Sequence, residues 1–170
     1  DIMDPTDFLA QLVPGYAQLS DQERHAIQQF SLMWSAFENS VCNTRATPMA
    51  LLRIPKRLLD AGKLDMEVFE GPLAYFRQRY YKGGHFTHFF DGLHLDEGSP
   101  ENGALVARVM SGEEDETLTV LGAVLLVVHR YRNNLFHGVK WQYGIAGQHE
   151  NFQQACSVMM AVMDRLAPAY

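Results

Sequence analysis

The sequence predicts an all-α fold, a bundle of four or more helices. Apolar residues recur at helical spacing along nearly the whole chain, and no segment alternates between apolar and polar residues as a half-buried strand does. The 170 residues match the length of one domain and can bury a core without a disulfide or a metal. We therefore expect one helical domain over residues 1–170.

The first two helices have clear start signals. The first follows Ser20, where Glu23 completes a capping box, and its apolar residues lie on one face. The second begins at Thr47-Pro48, because proline is tolerated at the first helical position. Pro55 is expected to divide or kink this second helix, since proline lacks the backbone N–H of a helix interior.

The middle of the chain is less regular. A third helix is expected from about Met66 to Tyr81, with an irregularity at Gly71-Pro72 and an end at Gly83-Gly84. Residues 85–98 indicate a loop with one short helical turn. A short helix then begins near Ser99-Pro100 and stops at Gly112.

The central helix is expected from about Asp115 to Asn133 or further. It is apolar nearly all round between Leu118 and Val128, so most of it should be buried. This apolar stretch is too short to span a bilayer, which needs roughly 20 residues, and we expect no membrane association. A last amphipathic helix is expected from about Gln148 to Leu166.

Cysteine usage and the first residues of the sequence indicate a cytoplasmic protein. Cys42 and Cys156 lie far apart in apolar helical contexts, which is typical of buried thiols in a reducing compartment. The first residues lack the basic and apolar regions of a secretory signal.

The net charge restricts how nucleic acid could be bound. The chain carries 14 basic and 20 acidic side chains, a formal charge of −6, so it cannot attract phosphate through its overall field. Eight acids lie between Asp91 and Glu116, with only Arg108 among them. Residues 129–140, in contrast, contain Arg130, Arg132, Lys140 and two histidines but no acid, which makes this segment a candidate anion site.

Polar groups follow the buried helix abruptly from His129 to Gly138. Asn133 is four residues from both His129 and His137, so its amide could orient either imidazole. Arg132 and His137 are five apart, which separates them by about 140° around a straight helix. Gly138 is a plausible helix-ending residue.

Arginine and histidine together can cleave RNA without a metal. Arginine binds phosphate through its planar fork, and histidine exchanges protons near neutral pH. A ribose 2′-hydroxyl would attack the adjacent phosphate, giving a 2′,3′-cyclic phosphate. A purely structural alternative exists, because the helix dipole alone favours basic residues at this end.

The segment Arg132-Asn133-Asn134-Leu135-Phe136-His137 resembles the Arg-polar-spacer-His signature of the HEPN domain family (higher eukaryotes and prokaryotes nucleotide-binding). In that family the motif ends a long apolar helix of a compact helical bundle, as it does here. The resemblance is close over residues 124–140 and loose over the rest of the chain.

The resemblance implies a metal-independent endoribonuclease, a homodimer with both motifs in one cleft, and a toxin or anti-phage role. Arg132 and His137 would be catalytic and Asn133 supporting, with no metal and no cofactor. The remaining candidates are Glu38 and His129 as supporting residues and Arg130 and Lys140 as RNA-binding residues. The alternative is a non-catalytic interaction or nucleotide-binding module of the same fold, paired with an antitoxin or a nucleotidyltransferase.

The sequence contains two weaker candidate sites. His85, His88 and His94 have no accompanying zinc motif, so a metal site there is improbable. Basic residues and tyrosines are interspersed in the segment before Gly83-Gly84 and could bind single-stranded RNA. Such a set is more often a solvated helix face. Its members are Tyr75, Arg77, Arg79, Tyr80, Tyr81 and Lys82.

Overall fold

The helical periodicity of the sequence is realised as an all-α bundle, which confirms the predicted fold class. The structure, a computed structural model, describes residues 2–138 and 144–169. The α-helices in these ranges are α1 Pro5–Leu12, α2 Asp21–Cys42, α3 Pro48–Asp60, α4 Glu67–Tyr80, α5 His88–Asp91, α6 Pro100–Ser111, α7 Thr117–Phe136 and α8 His149–Leu166. Short 3-10 turns lie at Tyr16–Gln18 and Leu95–Glu97.

The start of α2 is fixed by the predicted capping box. The Ser20 hydroxyl accepts a hydrogen bond from the Glu23 backbone N–H at 3.1 Å, and the Glu23 carboxylate accepts one from the Ser20 N–H at 2.9 Å. The other Glu23 oxygen accepts a hydrogen bond from the Gly147 N–H at 2.8 Å. Glu23 therefore joins the start of α2 to the segment that leads into α8.

Two helices continue through internal prolines at which the sequence predicted irregularities. α3 continues through Pro55, so this residue does not divide the helix, and the alternative that it kinks the helix stays a prediction. Pro55 is buried together with Leu51, Ile54 and Leu58, and their packing holds both halves of α3 in one helix. α4 likewise runs unbroken through Gly71-Pro72.

Two local elements were not predicted. α1 begins at Pro5, after Asp4 has capped it by accepting a hydrogen bond from the Thr6 N–H at 2.8 Å. Gly83 and Gly84 turn a two-residue hairpin, in which Tyr81–Lys82 pairs antiparallel with His85–Phe86. Both glycines have positive φ angles of 61° and 83°, which is the requirement of a tight hairpin turn.

α7 is the central helix of the bundle. Every residue from Val120 to Val128 is buried, as the apolar sequence predicts, by packing against α3, α4, α6 and α8. α2 packs along α8 to form the rest of the core. α7 therefore reaches solvent only near its two ends, and the candidate motif lies at its C-terminal end.

The two cysteines are free thiols, and Cys42 is buried as expected, whereas Cys156 is only partly buried. Burial raises the pKa of Cys42 and raises that of Cys156 to about 11. Among the helices of the described residues, none combines the length and apolar character required to cross a membrane.

Candidate active site at the end of the central helix

The motif residues occupy the last turn of α7 and its cap. The helix ends at Phe136, His137 is its C-cap, and Gly138 follows with a left-handed φ of 78°. The His137 backbone N–H donates to the Asn133 carbonyl at 2.9 Å, so the backbone stays helical up to the cap. The predicted helix end at Gly138 is confirmed.

Arg132 is held in place by its neighbours on the helix. Its Nη1 donates to the Asn133 side-chain oxygen at 3.0 Å, and its guanidinium carbon lies 5.2 Å from the Phe136 ring centroid. Its Nε is buried without a hydrogen-bond partner in the part of the chain that the structure describes. The guanidinium thus keeps unused donor capacity while the ring restricts its position.

His137 is exposed beside an exposed aromatic ring. The Phe136 side chain is 48% accessible to solvent, an unusual position for a phenylalanine that follows a buried helix. The Asn133 amide, which the spacing allowed to orient His137, instead binds Arg132. In residues 2–138 and 144–169, no hydrogen bond joins Arg132 to His137, which agrees with their separation around the helix.

His129 lies one turn earlier and is held neutral. Its ring packs against Trp34 of α2, with centroids 6.0 Å apart. Burial lowers the pKa of His129 to about 4, and the charges of Arg130, Arg132 and His137 act in the same direction. His129 also lines a small cavity of about 140 Å³ together with Asn133.

Arg130 has a structural position that the sequence did not reveal. It is 8% exposed, its Nε donates to the Leu93 carbonyl at 2.8 Å, and its Nη2 pairs with Glu97 at 3.1 Å. These contacts fasten the turn before α6 to α7. The prediction that Arg130 contacts RNA does not fit this conformation, because its guanidinium is buried and bound within the chain.

Asn134 is a residue whose importance the sequence reasoning missed. It is 1% exposed and donates from its amide to the Gly92 and Leu93 carbonyls at 3.1 and 3.4 Å. Its side-chain oxygen accepts from Arg130 at 3.4 Å. The four-residue spacing of Arg130 and Asn134, which puts both on one face of the helix, was the available signal.

Glu38 and Lys140 do not add to the described site. The Glu38 carboxylate accepts a hydrogen bond from the Ala46 N–H at 3.1 Å and so holds the connection between α2 and α3. In the described ranges, no hydrogen bond or ion pair joins Glu38 to the Arg132 or His137 side chain. Lys140 lies outside the described residues.

His85, His88 and His94, the weak zinc candidates, are not gathered into a metal site. Over residues 2–138 and 144–169, no group of three or more histidine, cysteine, aspartate or glutamate side chains could hold a metal ion. The site at the end of α7 consists of a positioned arginine, an exposed imidazole, an exposed phenyl ring and a half-buried neutral histidine two turns before the cap.

The comparisons with known proteins found no relative. No protein-family model matches the chain, and neither a curated protein nor a solved structure is significantly similar to it. Fold and site geometry thus define an all-α protein with a polar cluster at the solvent end of its central helix, and its function must be argued from that cluster.

Proposed function

We propose that this chain is a metal-independent endoribonuclease of the HEPN type that acts as a homodimer in the cytoplasm. The observation that carries the proposal is the pairing of a positioned Arg132 with an exposed His137 at the end of a rigid, buried helix. Arginine supplies a phosphate-binding fork and histidine a proton carrier, which together are sufficient for transesterification of RNA.

The reaction follows from these two side chains. His137 accepts the proton of a ribose 2′-hydroxyl, whose oxygen forms a bond to the adjacent phosphorus as the bond to the 5′-oxygen breaks. Arg132 stabilises the negative charge that develops on the non-bridging oxygens. A proton returned to the leaving oxygen completes the products, a 2′,3′-cyclic phosphate and a 5′-hydroxyl.

The geometry supports a site shared between two copies. The Arg132 side chain follows its own helix face onto Phe136, whereas His137 belongs to the next face, and no described hydrogen bond connects them. A two-fold axis near the exposed Phe136 ring would bring Arg132 of one copy beside His137 of the other. Doubling the motif would also concentrate positive charge in an otherwise acidic protein.

The direct test is RNA cleavage by purified protein in EDTA. We expect Arg132→Ala and His137→Ala each to lower the cleavage rate by at least about a hundredfold, a loss typical for catalytic groups. Arg108→Ala and His85→Ala change exposed residues of the same types and should cleave normally. Cleavage that stops in EDTA, or that survives both motif substitutions, would refute the proposal.

A mixing experiment tests the shared site. Arg132→Ala and His137→Ala chains, each inactive alone, are unfolded, mixed and refolded together. If the site is shared, each mixed dimer contains one intact site, and the sample recovers about a quarter of the wild-type rate. If the mixed sample is dimeric by light scattering but recovers no cleavage, Arg132 and His137 of one site must lie in the same chain.

The non-catalytic alternative has its own outcome. Wild-type protein that is dimeric but inert on several RNA classes, and harmless to cells when expressed, would favour an interaction or nucleotide-binding module. A toxin would instead arrest growth in a manner that Arg132→Ala and His137→Ala abolish. Co-purification with an antitoxin or a nucleotidyltransferase would then identify the kind of partner.

A further inference from the structure

A second polar cavity, of about 260 Å³, lies where the end of α4 and the short α5 meet α7 and the start of α8. We call it the Arg79 cavity. Arg79 and Tyr80 line it from α4, His88 and Phe89 from α5, and Tyr131 from α7. Neither Arg132 nor His137 belongs to its described lining, so the proposed cleavage reaction does not use it.

Arg79 contributes a cation that has no acidic partner. Its guanidinium carbon lies 4.0 Å from the centroid of the Phe89 ring, which is 41% exposed. Its Nε is buried without a hydrogen-bond partner, and none of the ion pairs in the described ranges involves it. The guanidinium instead forms side-chain hydrogen bonds with the neutral Tyr75 and Tyr80 hydroxyls. These bonds compensate part of its lost hydration but supply no counter-ion.

Neutral hydrogen-bonding groups surround this cation. The Tyr80 and Tyr131 hydroxyls share a hydrogen bond, and burial raises the pKa of both side chains, so both stay protonated. Tyr75 donates at 2.7 Å to Asn151, which is 2% exposed, and the Asn151 amide donates at 2.8 Å to the Gln148 side-chain oxygen. Gln148 lines the cavity and retains its own amide donors.

Acidic side chains are absent from the described lining of the Arg79 cavity, although the chain carries 20 of them. Glu150 acts electrostatically on Tyr75 but does not line the cavity. The cavity therefore combines a cation that lacks a counter-ion with the amide donors of Gln148, an environment complementary to a small oxyanion.

We propose that the Arg79 cavity binds a phosphate group, either free phosphate or the phosphate of a small monoester. The Arg79 guanidinium would bind two phosphate oxygens through its terminal nitrogens, and the Gln148 amide would bind a third. The exposed Phe89 ring at the same guanidinium offers a nucleobase or sugar an apolar surface. This ligand site is independent of the ribonuclease proposal.

The test measures binding by the full chain with isothermal titration calorimetry. The probes are inorganic phosphate, ribose 5-phosphate, adenosine 5′-monophosphate and adenosine, which separate phosphate recognition from base recognition. NMR of the Arg79 guanidinium gives a local readout, because an anion in the cavity changes the surroundings of this group. Arg79→Met removes the charge at similar volume, Gln148→Leu removes an amide, and Arg108→Met is the matched control on an exposed arginine.

We expect phosphate or a monoester to bind, adenosine not to bind, and Arg79→Met to weaken binding by at least about tenfold. Gln148→Leu should weaken binding less, Arg108→Met should bind as the wild type does, and Arg132→Ala should retain the binding that Arg79→Met loses. The Arg132→Ala result separates this site from the proposed ribonuclease site. Absence of binding by the wild type at about 10 mM ligand would overturn the proposal. Binding as tight as that of the wild type by the folded Arg79→Met and Gln148→Leu chains would also overturn it.

Discussion

The imidazole of His129 on α7 packs against the indole of Trp34 on α2, with ring centroids 6.0 Å apart. This contact places a titratable group inside the interface between two long helices. Burial lowers the pKa of His129 to about 4, from an ordinary value of 6.5. The contact therefore couples the stability of the fold to pH.

Acid should destabilise the protein through His129. Between pH 6.5 and 4 the unfolded chain binds a proton at this residue that the folded chain excludes. The free energy of unfolding therefore decreases as the pH is lowered over this range, by an amount on the order of 2 kcal/mol. His129→Leu should remove this part of the pH dependence, whereas the exposed-residue control His25→Gln should keep it. Urea titrations at several pH values measure the effect. If the free energies of unfolding of the wild type and His129→Leu changed equally with pH over this range, His129 would not be the source of the pH dependence.

Arg130 and Arg132 should separate stability from activity. Arg130→Met removes the donors to Leu93 and Glu97, and we expect a loss of about 2 kcal/mol in the free energy of unfolding. Arg132→Met should cost less than about 1 kcal/mol, because Arg132 bonds only its neighbour Asn133 among the described residues. Equilibrium urea unfolding of both variants measures the difference, and equal losses would show that our division of roles is wrong.

The Asn134 amide should hold the turn between α5 and α6. Asn134→Ala leaves the Gly92 and Leu93 carbonyls without this donor, at a cost of about 2 kcal/mol. Hydrogen exchange should accelerate in residues 92–97 in this variant. Asn133→Ala is the adjacent control and should leave exchange in this turn unchanged, so faster exchange there would argue against the specific role of Asn134.

Glu23 should stabilise the fold only above its own titration range. Hydrogen bonds from the Gly147 and Ser20 backbone lower the pKa of Glu23 below 4.5, so its contribution is present above pH 4.5 and is lost as pH falls through the folded value. We expect Glu23→Gln to lose about 1 kcal/mol at pH 7 and less than this at pH 3. Thermal unfolding at both pH values checks this. Glu101→Gln, also in a first helical turn, should show a smaller difference.

Most of the fold was predictable because its signals are local. The capping box at Ser20, the glycine at 112 and the apolar run from 118 to 128 each depend on neighbours in sequence, and the structure confirms all three. Pro55 was misjudged because its effect depends on packing against the core, which no local pattern records. The hairpin at Gly83-Gly84 was missed because the same glycines also end helices.

The site was only partly predictable, for a related reason. Spacing along α7 correctly separated Arg132 from His137, since that relation is set by the helix itself. The partners of Arg130 and Asn134 lie about 40 residues away in sequence, in the turn before α6, and spacing contains no information about such contacts. The Arg79 cavity likewise forms only where four elements distant in sequence come together. From the sequence alone, Arg79 could not be distinguished from an ordinary surface arginine.

The burial of α7 also determines how accurately its end is positioned. Groups carried on loops change place as the loops move, whereas those on a helix enclosed by the core stay in register with that core. The solvent end of α7 should therefore keep its shape through large changes in the surrounding loops. Any ligand that binds there would meet a surface that is already formed.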